Sequence, residues 1–326
     1  MKGFISKDIH PFVVLLLLLA YMIAGAFVAY FFYSILGEPL YGVSIFQLAD
    51  TLANPTATPN AAAALMFYQG ITSFFMFVVA PLFLLVSMGF NLGPYLNWKE
   101  QPGVALVVLS GLLIVFIMPF NSLVINWNAG IHFPGVLKGF EDWARAEENQ
   151  AAEMTKLLAD FSTLPQLLIG LLVIAVIPAI GEELIFRGVL QRQLHRWSGN
   201  MHVAVWVAAL VFAAIHVQFF GFVPRAILGA LFGYLYFWSG RIIVPMAAHF
   251  VNNGFTVFLL YLQQTNQLTG FDVESTEPMP WYTVLLSIVL SAAVLYFLYQ
   301  RFLALPVRPE GMAEVEVGTI DEEENF

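Results

Sequence analysis

Apolar runs long enough to cross a bilayer recur from one end of this sequence to the other, and no other feature narrows its fold so far. A helix needs about 20 predominantly apolar residues to span the hydrocarbon core. Eight stretches approach or exceed that length: roughly 11–36, 64–90, 103–126, 165–190, 203–220, 222–239, 242–262 and 281–305. In lipid each backbone N–H and C=O must be satisfied within the protein, which makes helices the form for runs of this length. The expectation is an all-α membrane protein, a bundle of about eight transmembrane helices within residues 1–308. Composition agrees, with 60% hydrophobic and 11% charged residues against about 25% charged in soluble domains.

The formal net charge of −9 does not imply a cationic partner, because seven acidic residues crowd between Glu310 and Glu324. Residues 309–326 read as an acidic, disordered cytoplasmic tail. The 13 Lys and Arg form no patch, so no nucleic acid is expected as a partner. There is no cysteine, which excludes disulfides, thiol nucleophiles and thiolate metal sites. The first apolar run follows Lys2 and Lys7 and is too long for a cleavable signal. If the spans alternate, Lys2, Lys7, Lys99, Arg192, Arg196, Arg241, Arg301 and Arg308 share one side, which places both termini in the cytoplasm. Loop 127–163 then lies outside. Within it, Leu137 to Phe161 has helical apolar spacing and predicts an amphipathic helix at the interface or capping the bundle.

Charged and polar groups inside the spans carry the chemistry. The fourth span contains Gly181-Glu182-Glu183-Leu-Ile-Phe-Arg187. A charge at mid-membrane costs about 2.5–3.5 kcal/mol on insertion scales, so these residues need partners. Glu183 and Arg187 are spaced i,i+4 with the acid first, the favourable order for a helical ion pair. Glu182 points elsewhere and is left free. Trp197-Ser198-Gly199-Asn200 predicts a turn, and Glu182 and His216 lie equally far from Gly199 on either side. In an antiparallel pair of equal rise they meet at one depth, as a carboxylate and imidazole that bind and deprotonate water must. His249 and Asn253 are i,i+4 on the seventh span, so both project from one face. They suit two hydrogen bonds to an oxyanion, or His249 joins Glu182 and His216 as a third zinc ligand. Gly229-x-x-x-Gly233 predicts close helix packing, and Arg225 is expected to snorkel outward, the other reading being that it pairs with a substrate carboxylate.

Glu182-Glu183-x-x-x-Arg187, Phe212-x-x-x-His216 and His249-x-x-x-Asn253, in that order, resemble the three motifs of the CAAX protease and bacteriocin-processing (CPBP) family of intramembrane proteases. The motif-bearing core covers about 165–262. The resemblance implies an endopeptidase acting on a membrane-associated protein or peptide, in which Glu182 and His216 activate water. It implies that His249 and Asn253 hold the oxyanion while Glu183 and Arg187 support the site. Zinc-dependent and metal-free glutamate-dependent hydrolysis are both described for the family. The expected place is a bacterial cytoplasmic membrane, with a water-accessible cavity open toward the cytoplasm. Two other functions fit intramembrane Glu and His: a proton- or ion-coupled transporter, and a catalytically silent scaffold.

Overall fold

The computed structural model describes residues 3–54, 58–98, 102–159, 161–270 and 272–305. These fold as an all-helical bundle with no strand among them. The long helices are α1 (Pro11–Tyr41), α2 (Ala61–Ser87), α3 (Val104–Ala129), α4 (Lys138–Leu158), α5 (Leu164–Ser198), α6 (Met201–Ala214), α7 (Phe222–Ser239), α8 (Ile243–Gln264) and α9 (Trp281–Leu303). Seven of the described helices are long and apolar enough to cross a membrane; the apolar α6 is shorter. The chain is an integral, multi-pass membrane protein. Lys2, Lys99, Arg308 and the acidic tail 309–326 lie outside the described residues.

Three boundaries differ from the sequence reading, the first being α5, expected to end near 190 and running on to Ser198. α1 runs on through Pro39 to Tyr41 and stops at Gly42, whose φ of 71° supplies the left-handed cap. The fifth span, expected over 203–220, ends at Ala214. The chain then breaks direction through Val217, at φ 53°, and re-enters a helix at Phe222. The expected turn before it does form: Gly199 is left-handed at φ 67°, and the Asn200 side chain accepts from the N–H of His202 and Val203.

α2 and α5 are continuous but contain π-helical turns, at Phe74–Val79, Leu171–Val176 and Leu184–Leu190. The first two each precede a proline, Pro81 and Pro178. A proline lacks the N–H that its helix needs, and the wider turn accommodates the missing bond. The two helices touch at this level. A Cβ on Gly181 would come 2.5 Å from Phe77 Cβ, so only glycine lets α5 approach α2 immediately before Glu182.

α6 and α7 form a hairpin that leaves and returns at the same end of the bundle. At that end Arg196 donates to Lys7 O at 3.1 Å and also to Ile9 O. Arg192 donates to Tyr95 O, and Asn97 Nδ2 to Gly240 O at 3.3 Å. Although α6 is short, the alternation of the long helices is therefore preserved. The hairpin is tight because Gly229 and Gly233 face Ala209 and Val205, with room for no more than a hydrogen. At the opposite end α4 lies as the expected cap, with Leu137, Phe140 and Trp143 exposed around its start.

Candidate active site

The structure gathers Glu182, Glu183, Arg187 and His249 into one chain of contacts. Arg187 Nη1 donates to Glu183 Oε1 at 2.8 Å, the i,i+4 pair expected from spacing. The same oxygen lies 2.8 Å from His249 Nδ1. A carboxylate oxygen already accepting from a guanidinium is an acceptor for the imidazole as well, so Nδ1 carries the proton. That turns His249 Nε2 toward Glu182 Oε2, 3.8 Å away. The separation is too long for a direct hydrogen bond, and a water or substrate oxygen can touch both atoms. The Glu183 and Arg187 side chains are 0% and 1% exposed and His249 4%, while Glu182 is 13% exposed. The supporting pair is sealed and the free carboxylate is not.

Three phenylalanines position this chain. Phe232 stacks on the His249 ring at 5.1 Å and Phe212 meets it edge-on at 5.9 Å. The Arg187 guanidinium sits within 6.0 Å of the Phe186, Phe212 and Phe232 rings. Arg187 Nη2 also donates to Gly229 O at 2.6 Å, and one helical turn later Gln191 Nε2 donates to Gly233 O at 3.2 Å. The two glycines thus do more than permit packing: their carbonyls anchor α5 to α7. The sequence carried this signal as matched i,i+4 spacings, Arg187 to Gln191 and Gly229 to Gly233.

Asn253 Nδ2 donates to Ile174 O at 3.1 Å, and its Oδ1 accepts from Asn252 Nδ2 at 3.0 Å. Ile174 is the residue four before Pro178, so its carbonyl lacks the usual helical N–H. The side-chain amide of α8 takes that place. Asn253 is fixed in orientation and keeps its second N–H free.

His216 is not on a helix but in the turn after α6, where its Nδ1 lies 2.8 Å from Phe212 O. A carbonyl only accepts, so Nδ1 is protonated and Nε2 is left as a base. Among the described residues no hydrogen bond joins His216 to Glu182; the imidazole nearest Glu182 is His249, with Phe212 between the two histidine rings. Between Glu182 and His216 lie the π turn over Leu184–Leu190 and the early end of α6 at Ala214, so the two arms on either side of Gly199 are not equal regular helices. Among the described residues no three His, Cys, Asp or Glu side chains come close enough together to hold a metal ion. His249 Nδ1 donates to Glu183 and His216 Nδ1 to a carbonyl, which leaves Nε2 as the free ring nitrogen of each. It is the spacing of Glu182, His216 and His249, and not their chemistry, that does not fit one zinc ion.

A cavity of about 1150 Å³ lies at the end of the bundle opposite Lys7 and Arg196, walled by α3, α4, α7, α8, Gly270 and residues within 272–280; Asn252, which donates to Asn253, is on its wall. Arg225, expected to snorkel, instead lines the cavity, with Nη2 donating to Gln218 Oε1 at 2.6 Å. Gln218 Nε2 donates to Glu148 Oε1 of α4 at 3.1 Å, and burial pushes the Glu148 carboxyl up while Arg225 opposes the shift. The α4 cap is latched further along by Glu141. That carboxylate accepts from Phe133 N–H, His132 Nδ1 and Arg145 Nε, each at 2.9 Å, which holds its pKa at about 2.

Comparison with known proteins bears on the same segment. Residues 164–255 match the family of type II CAAX prenyl endopeptidases described as Rce1-like. An uncharacterized protein of Bacillus subtilis, YpbD, is 38% identical over 77 residues, 22% of this chain and 36% of that protein. The membrane-embedded CAAX protease MroQ of Staphylococcus aureus is 34% identical over 95 residues, 27% of this chain and 38% of the relative. The chain thus spans little more than a third of the curated relatives it matches. No solved structure matches it. Over residues 164–255 the chain is therefore similar to the Rce1-like type II CAAX prenyl endopeptidases and to a membrane-embedded CAAX protease.

Proposed function

We propose that this protein is an intramembrane endopeptidase of the CAAX-protease type, cleaving a membrane-associated protein or peptide with a water activated by Glu182. One observation carries the reading: Glu182 Oε2, partly exposed, faces an imidazole nitrogen that a sealed Glu183–Arg187 pair holds in place. A structural polar knot needs only the pair; it does not need a second carboxylate turned toward an oriented histidine.

In this mechanism Glu182 accepts the proton of a water attacking the scissile carbonyl, and the free Nε2 of His216 is the second base the family resemblance assigns to that water. The tetrahedral oxyanion accepts from the free N–H of Asn253 and from His249 Nε2 once that atom is protonated, with Glu182 the adjacent proton source. The C–N bond then breaks as His249 Nε2 returns that same proton through Glu182 to the leaving amine. None of these steps is routed through a metal. We place the termini in the cytoplasm of a bacterial cell, with residues 165–262 as the catalytic core.

The transporter reading is less favoured. The interruptions in α2 and α5 are π turns within continuous helices, not the paired unwound segments that expose carbonyls to a carried ion.

The test is cleavage by purified protein in lipid nanodiscs, with Glu182→Ala beside wild type and circular dichroism to verify folding. Loss of cleavage in a folded variant is expected. Full activity of folded Glu182→Ala would refute the proposal.

A further inference from the structure

Three buried polar atoms with no hydrogen-bond partner among the described residues belong to side chains that line the cavity of about 1150 Å³: Arg225 Nη1, Glu148 Oε2 and Asn121 Oδ1. Buried polar groups are normally paired, and an unpaired one costs the full price of its desolvation. Three such atoms, brought to one cavity by α3, α4 and α7, point to a ligand that supplies the missing partners.

The Arg225 seat is constructed. Gln218 grips one arm of the guanidinium at 2.6 Å. The other arm lies against Gly221, where a Cβ would come within 2.0 Å of Nη1. Gly221 has an ordinary φ of −112°, so glycine is needed there for the room it leaves and not for its backbone. Gln218 is two residues beyond His216, and Asn252, which also lines the cavity, donates to Asn253. The seat is therefore contiguous with the candidate catalytic groups.

We propose that this cavity receives the substrate peptide and that Arg225 is a specificity-determining residue that takes one of its carboxylates, while Glu148 and Asn121 accept its N–H groups. The inference rests on the endopeptidase reading. Two acceptors beside one cationic donor match a peptide, which offers several N–H donors and a few anionic groups. A guanidinium gives a carboxylate a charge-assisted bond that an ester cannot replace.

The test measures binding and cleavage separately. Full-length Glu182→Ala protein in phosphatidylcholine nanodiscs is incubated with a defined peptide mixture, half as free acids and half as methyl esters, and retained peptides are counted by mass spectrometry. Free acids should be enriched about tenfold. That enrichment should vanish in Glu182→Ala/Arg225→Gln and in Glu182→Ala/Gly221→Ala, and partly survive in Glu182→Ala/Arg225→Lys. Equal retention of acids and esters, or Arg225-dependent retention of added phosphatidylglycerol in place of peptide, overturns the inference. If enrichment depends on Arg225 while protein with Glu182 intact cleaves none of the retained peptides, the carboxylate seat stands and the endopeptidase reading fails.

Discussion

Glu183 Oε1 lies 2.8 Å from His249 Nδ1 and accepts from Arg187 at the same distance, so one oxygen both neutralises the buried arginine and sets the tautomer of the histidine. Glu183→Gln leaves a buried guanidinium without its counter-charge. We expect a loss of about 3–5 kcal/mol, the range for breaking a buried ion pair, seen as a lower unfolding temperature in detergent. Adding Arg187→Met should recover most of that stability without restoring cleavage, since His249 is then no longer held by a carboxylate.

Asn253 and Pro178 should be coupled. Asn253→Ala strands Ile174 O and is expected to cost about 1–3 kcal/mol. Pro178→Ala supplies a helical N–H to the same carbonyl, so the double variant should be more stable than the sum of the single effects predicts. Cleavage should stay low in the double variant. Recovery of both properties together would show that Asn253 acts only through the helix.

Gly181→Ala should drive α2 and α5 apart, because its new methyl group meets Phe77 at 2.5 Å. Overpacking of this kind costs about 1–3 kcal/mol. Since Glu182 is the next residue, cleavage should fall more steeply than stability. A structure or crosslink that leaves the α2–α5 spacing unchanged would contradict the expectation.

The α4 latch predicts a pH dependence of defined sign. Glu141 is held at about 2, against an ordinary 4.5, chiefly by the Phe133 N–H and then by His132 and Arg145. Its contribution to holding α4 is therefore complete above 4.5 and is lost as the pH falls toward 2. The chain has no cysteine, so a nitroxide on Gly139→Cys reports from one position, and a Cβ there meets nothing within 4 Å. The label should stay immobile at pH 5 and loosen near pH 2. In Glu141→Gln it should be mobile at neutral pH.

Much of this was legible beforehand, for physical reasons. The long spans follow from length and hydropathy, the Glu183–Arg187 pair from helical spacing, and the α4 cap from its amphipathic pattern. The turn at Gly199 and Asn200 follows from residue chemistry. What escaped was whatever departs from a regular helix. Pro178 hinted at a break but not that a π turn would absorb it, or that Asn253 would reach across to Ile174. The register argument pairing Glu182 with His216 assumed equal rise on both arms, and the early end of α6 left His249 as the nearer imidazole. Snorkelling was the favoured reading of Arg225 because Gln218, which accepts from it, and Glu148, which accepts from Gln218, are distant in sequence from one another.

The acceptors that α7 offers to Arg187 and Gln191 are main-chain carbonyls of Gly229 and Gly233. No point substitution can delete a carbonyl, so the specificity of this joint is written almost wholly in α5. Mutational tolerance across it should be lopsided. Replacements at 187 and 191 remove bonding groups outright, whereas replacements at 229 and 233 act only through the bulk they add. A chain diverging under selection can therefore rework the other faces of α7 freely while the depth of Arg187 stays pinned to a backbone that side-chain drift does not reach.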